Sequence, residues 1–212
     1  MSYATLILGE SGTGKSCSLR NLDPSQCLLI QPVRKPLPFR SDKWKEISQK
    51  GDGGSIYFCP DPNRLVYGMK KTSRKIVIVD DFQYVLASMF MARRAEKGYE
   101  KFTDIGGIGF DIAKAASELD ADKRVYILAH TATDELGRTR IKTLGKMLDD
   151  KIVLEGMFTT VLRTVVDGTS YLFSTRNSGS DTVKSPMGMF QEALIPNDLA
   201  LVDKTICEFY SL

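Results

Sequence analysis

The stretch "LGESGTGKSCSLRNL", residues 8–22, contains Gly9-x-x-x-x-Gly14-Lys15-Ser16. It sits between the apolar run Thr5-Leu6-Ile7-Leu8 and a segment, "KSCSLRNL", that reads as a short helix. Strand, glycine loop and helix in that order are the context in which this spacing cradles phosphate. Glycines at 9, 12 and 14 let successive backbone N–H groups point inward, and the positive end of the following helix adds to the field. Lys15 then reaches the outer phosphates, and the Ser16 hydroxyl is a magnesium ligand. The expected nucleotide contacts are Gly9, Glu10, Ser11, Gly12, Thr13, Gly14, Lys15, Ser16 and Cys17, with ATP and Mg2+ as cofactors. A glycine-rich strand turn without nucleotide is the plainer reading of the same residues.

Outward from the loop, the chain alternates apolar runs and helical patterns. Cys27–Gln31 reads as the second strand, followed by "PVRKPLPFR" (32–40), whose three prolines exclude helix. Residues 41–55 are a polar excursion, 56–59 a third strand, and Asp61-Pro62 caps and starts a helix to about Thr72. Ile76-Val77-Ile78-Val79 is β-branched throughout, as a strand buried on both faces should be. A helix is predicted from Phe82 to about Lys97, a glycine-broken mobile loop over 98–109, and a second helix over 110–120. Val125–Ala129 is a further central strand ending at His130, followed by a polar loop over 131–143. "TTVLRTVV", Asp167-Gly168 and "TSYLFST" predict a β-hairpin. The expected fold class is α/β: a P-loop NTPase with a mostly parallel central sheet flanked by helices and a C-terminal antiparallel hairpin.

Length and composition agree with one domain spanning 1–212. At 42% hydrophobic and 26% charged, the 212 residues have the balance of an ordinary soluble globular chain. No apolar run reaches the roughly 18 residues needed to span a bilayer, and no signal-peptide pattern opens the chain, so the expected location is cytoplasmic. Cys17, Cys27, Cys59 and Cys207 form no C-x-x-C pair, which argues against zinc or redox chemistry and for reduced thiols. The net charge of +3 is mild, but cations cluster at Arg34–Lys45, at Arg93–Lys101, and at Arg138, Arg140, Lys142 and Lys146.

Asp80, at the end of the β-branched run, is the carboxylate expected in the magnesium shell beside Ser16. Asp81 stands where a water-orienting base would act, and it is equally placed to cap the helix that starts at Phe82. His130, the lone histidine, ends a strand at the edge where ligands of parallel sheets sit, so a γ-phosphate sensor competes there with a structural role. The catalytic set expected from these positions is Lys15, Asp81 and His130. Segments 98–109 and 131–143 combine aromatic and cationic residues, a composition suited to single-stranded nucleic acid, though solvated surface loops have it too.

The chain resembles the RecA-like core ATPases of bacteriophages, within them the single-strand-annealing recombinases that consist of little but that core. The resemblance is carried by "GESGTGKS", "KPLPF", "IVIVDDFQY", "RRAEKGYEKFTDIG", "HTATDELGRTRIKTLGKMLDDKIVLEGMFTTVLRT" and "SPMGMF", in order from residue 9 to residue 190. It implies two DNA-binding loops, roughly 94–109 and 131–143, with Arg94, Lys97, Tyr99, Lys101, Phe102, Arg138 and Arg140 as contacts. It also implies that His130 links ATP to the second loop. Gln31-Pro32 stands where bacterial relatives usually have a catalytic glutamate, which moves the expected base to Asp81. The chain opens directly at the first core strand, so neighbour binding through an N-terminal strand is not expected. A cation completing an ATP site between subunits would come from Lys142, Arg176 or Lys184, with Lys142 preferred for its place beside the second loop.

The implied function is an ATP-dependent single-stranded-DNA-binding recombinase that promotes strand annealing in phage recombination. It would act in the cytoplasm of a bacterial host as a homo-oligomeric ring or filament, alongside a single-strand-binding protein and away from membranes. A replication helicase loader or other motor-type ATPase, a small-molecule phosphotransferase and a bare nucleotide-binding module are the competing classes.

Overall fold

The structure is a computed structural model that describes residues 1–48, 53–144 and 152–212. Lys146, from the third basic cluster, lies outside the described residues. Alternating apolar runs and helical segments build one twisted sheet with helices on both faces. The parallel part comprises β1 (Tyr3–Leu8), β2 (Cys27–Gln31), β3 (Ile56–Phe58), β4 (Ile76–Val79), β5 (Arg124–Ala129) and β8 (Thr160–Asp167). The hairpin partner β9 (Ser170–Ser174) and β10 (Leu194–Pro196) extend it antiparallel. The order across the sheet is β10-β9-β8-β1-β5-β4-β2-β3. The expected architecture, mostly parallel with an antiparallel end, is the one adopted.

Side-chain alternation along the strands separates two cores. Leu6, Leu8, Val77, Val79, Val125 and Ile127 face the layer formed by α1 (Pro62–Lys71), α2 (Phe82–Ala92) and α3 (Glu100–Ser117). Ile7, Ile76, Ile78, Tyr126 and Leu128 face the other layer, which includes Leu199, Val202 and Ile206 of α4 (Leu199–Tyr210). Asp203 of α4 accepts from the buried Tyr126 hydroxyl at 2.6 Å and pairs with Arg124 at 2.9 Å, which fixes that helix on β5.

One expectation takes a tighter form than a regular helix, and two are corrected. The short helix expected after the glycine loop is a 3-10 helix, Ser16–Asn21. Leu22 is already extended ahead of Asp23-Pro24, so there is no length for a regular helix, and little helix dipole reaches the loop. The predicted mobile loop 98–109 is the first half of α3, and α2 ends at Ala92 rather than near Lys97. Ile105, Gly106, Gly109, Ile112, Ala113 and Ala116 are buried at helical spacing, so the glycines lie on a packed face and do not break the helix. A methyl group at Gly109 would already touch Leu86 and Phe82 of α2 at 3.6 Å. Finally, 131–143 is not irregular: β6 (Thr131–Thr133) and β7 (Thr139–Ile141) form a separate antiparallel hairpin.

Candidate nucleotide site

Strand register sets the site. Leu8 of β1 is level with Ala129 of β5, Ile127 of β5 with Val79 of β4, and Val79 with Ile30 of β2. Gly9, His130, Asp80 and Gln31 therefore emerge at one edge. Because β5 lies between β1 and β4, the glycine loop must span two strand spacings, roughly 10 Å, to bring Ser16 to Asp80. Crossing the end of β5 is what brings His130 into the site.

Gly9 is required by close approach: a Cβ there would fall 1.9 Å from the Thr164 hydroxyl of β8. Thr164 in turn bonds the Thr13 hydroxyl at 2.6 Å, tying the loop to the sheet. Gly12 and Gly14 have φ of 80° and 97°, the left-handed region open to glycine. Lys15 donates to the carbonyls of Gly9 and Glu10, both at 2.8 Å. Burial lowers its pKa to about 8, against the pull of Asp81 and Asp80. The Ser16 hydroxyl lies 2.9 Å from both oxygens of Asp80, which is fully buried. Burial, with Asp81 adding to it, pushes the Asp80 carboxyl up to about 6.

These donors fit Mg2+. It takes oxygen ligands at near-octahedral geometry and is usually held by one or two protein oxygens plus phosphates and water. Ser16 and Asp80 supply such a pair, and among the described residues no group of three His, Cys, Asp or Glu forms a closed cage. A bound cation would compensate the buried charge that now disfavours ionised Asp80.

Asp81 has φ 57° and ψ 49°, and its side chain makes no capping bond to α2, so the helix-cap reading of this residue is not realised. The left-handed backbone instead places the carboxylate among cations. Asp81 pairs with Lys35, and its other oxygen lies 3.5 Å from His130 Nε2. Burial, followed by the charge of Lys15, holds the His130 pKa below its ordinary value, which favours the neutral ring. Tyr84 meets the His130 ring edge-on at 6.5 Å.

A cavity of about 810 Å³ opens over this edge, and its lining includes Lys15, Ser16, Lys35, Asp81 and His130. That volume suits a nucleotide-sized ligand. Several of its walls were not foreseen from sequence, among them Arg20, Tyr84, Tyr171 and Asn197, and Lys35 stood there only as one member of a basic cluster. Asn197, 2% exposed, packs against Gly14 with both amide atoms unpartnered. The turn between β10 and α4 brings it there, and nothing local in the sequence marks it. The expected catalytic and magnesium residues meet in this cavity or directly beneath it.

The expected inter-subunit cations lie apart from it. Arg176 donates to the Gln191 carbonyl at 2.6 Å, while exposed Lys184 pairs with Val161 through its backbone. Lys142 is exposed at the base of the β6–β7 hairpin, where its N–H donates to the His130 carbonyl at 2.8 Å. Gln83 Nε2 donates to the carbonyls of both His130 and Lys142, at 3.3 and 3.2 Å. On that hairpin Arg138 is exposed, and Arg140 is 3.5 Å from Asp134. Between α2 and α3, Arg94 bonds the Met91 carbonyl at 3.0 Å, and Lys101 lies 5.4 and 5.5 Å from the ring centres of Phe90 and Phe102. Lys97 and Tyr99 are exposed there.

No protein-family model and no curated protein matches the sequence. Among solved structures, the chain is similar to a DnaB-like replicative helicase, described together with its interactions with primase, at 14% identity and a TM-score of 0.49. The match covers 81% of this chain and 51% of the helicase, so this chain spans about half the length of that protein. No residue role is carried over from it. Among the described residues, no helix is long and apolar enough to cross a membrane.

Proposed function

We propose that the protein is an ATP-hydrolysing switch of RecA-like type that binds single-stranded DNA and promotes strand annealing in phage recombination, as a homo-oligomer. The observation that carries this reading is the short path from phosphate site to basic hairpin. Lys15, Asp81 and His130 line the cavity, while the His130 carbonyl is held by Lys142 N–H and by Gln83 of α2. A γ-phosphate that shifts Asp81 or His130 must therefore disturb the base of the hairpin that presents Arg138 and Arg140. Asp81 is the proposed base, Ser16 and Asp80 the magnesium ligands, and Arg94, Lys97, Tyr99, Lys101 and Phe102 secondary DNA contacts. If ATP is completed between subunits, Lys142, Arg176 and Lys184 remain the proposed donors.

A motor or loader ATPase that grips a protein is the second reading. It is favoured by the exposed apolar group Leu136, Ile152 and Val153 that lines one groove beside the hairpin, a patch that suits a protein partner better than phosphate. Measuring ATP turnover with and without single-stranded DNA, together with annealing of complementary strands, separates the two. Wild type should show DNA-stimulated turnover that Lys15→Ala abolishes. Absence of DNA binding at low salt would sink the recombinase reading and leave the loader reading standing.

A further inference from the structure

The first basic cluster, Arg34–Lys45, finds no use in the function proposed above, and the structure divides it sharply. Arg34 points outward: it pairs with Glu46 at 2.9 Å and covers the Phe58 ring at 4.9 Å. Lys35, the next residue, turns into the cavity and pairs with Asp81. Its carrier is rigid. Pro36 and Pro38 fix φ on either side of buried Leu37, Phe39 stacks edge-on against buried Trp44 at 6.3 Å, and Cys17 Sγ donates to the Pro38 carbonyl at 3.5 Å. Partial burial works against the Lys35 charge, yet Asp80 and Asp81 outweigh it and hold the ammonium protonated.

Among the described residues, the cavity is lined by two other side chains that are always cationic or commonly so, Lys15 and Arg20. Lys15 belongs to the glycine loop. Arg20 also lines the cavity, but its guanidinium is tied to the carbonyls of Asn197 at 2.6 Å and Cys17 at 3.1 Å. Lys142, Arg176 and Lys184 do not line it. Phosphoryl transfer spreads negative charge over the γ-phosphoryl oxygens, and the protein contributes chiefly positioned positive charge.

Resting on the ATPase reading above, we propose that Lys35 is a catalytic cation supplied by the same chain as the phosphate loop. On nucleotide binding its ammonium exchanges the Asp81 carboxylate for γ-phosphoryl oxygens. That exchange also frees Asp81. Water then bonds to the γ-phosphorus, the bond to the bridging oxygen breaks with its electron pair leaving on ADP, and the proton of the water passes to Asp81. Lys35 thus neutralises charge in the transition state and holds the proposed base in reserve before ATP arrives.

The test measures phosphate release and fluorescent-ATP binding for wild type, Lys35→Met, Lys35→Gln and Lys35→Arg, with thermal melts to confirm folding. Turnover should fall about 10²-fold or more in Lys35→Met and Lys35→Gln. ATP affinity should stay within about threefold, and Lys35→Arg should recover part of the loss because it keeps the charge. Mixing Lys35→Met with Lys15→Ala should restore nothing, since neither chain carries both lysines. Turnover within twofold of wild type, an affinity loss that accounts for the whole drop in kcat/KM, or activity restored on mixing would each overturn the assignment. A wild type that binds no ATP would overturn the underlying reading of the site, a result distinct from any effect at position 35.

Discussion

The α2–α3 corner and the β6–β7 hairpin follow strands that end side by side, and both carry cations, but the two regions use them differently. At the corner the charges face inward on their own segment: Arg93 pairs with Glu96 and Asp104, and Lys101 donates to the Glu96 carbonyl while lying near two phenylalanine rings. At the hairpin Arg138 is exposed, and the base of the hairpin is bonded to the edge that lines the candidate cavity. The corner's cations are thus partly spent within their own segment, while Arg94 and Lys97 stay exposed. The hairpin has the position of a responsive element. Composition alone made them look alike, and the decisive difference is which one shares hydrogen bonds with His130.

The largest effect should come where the corner runs into the core. Ile105→Ala, at a fully buried site, should lower stability by about 2–5 kcal/mol in urea melts. A near-neutral result would mean that 98–109 behaves as a loop after all and would erase the contrast. Next, Arg138→Ala with Arg140→Ala should weaken single-stranded DNA binding and reduce the salt slope by roughly 1.4, two contacts at about 0.7 each, with ATP affinity nearly unchanged. Equal loss of ATP binding would instead make the hairpin part of the nucleotide site.

A smaller effect is expected at the link. Gln83→Ala removes bonds worth about 0.5–1.5 kcal/mol, so the gain in DNA affinity on adding ATP should shrink roughly two- to tenfold while DNA binding without nucleotide persists. The smallest should be Lys101→Met, about 0.5–1 kcal/mol of stability from its place beside the rings, with little change in the DNA salt slope. A slope change as large as that of the arginine pair would promote the corner to an equal DNA contact.

The strands were legible because burial on both faces leaves a plain chemical signature: Ile76–Val79 and Val125–Ala129 could be little else. The place of the glycine loop followed from its spacing, and the meeting of Ser16, Asp80 and His130 at one edge followed from the strand ends. The α3 error came from taking Gly106, Gly107 and Gly109 as breakers when two of the three lie on the buried face. The series Ile105, Gly109, Ile112, Ala116 had the helical period and would have corrected it. Lys35 was hidden inside a cluster. Its neighbours Leu37 and Phe39 turn into the core, but Lys35 stays solvent-exposed and is told from Arg34 only by the carboxylate it meets, Asp81 and not Glu46. Asn197 had no signal either, because its place depends on a turn distant in sequence.

The left-handed backbone at Asp81 limits which substitutions give clean answers. At φ 57° most residues incur roughly 1–2 kcal/mol of local strain, whereas aspartate, asparagine and glycine tolerate it. Replacing Asp81 by alanine would mix that strain with the loss of a carboxylate, and any loss of turnover would then report geometry as much as chemistry. Asp81→Asn keeps the bend and removes only the charge. It is the variant in which a fall in turnover can be attributed to proton transfer, and the one that would show whether Lys35 and His130 hold their positions when the anion between them is gone.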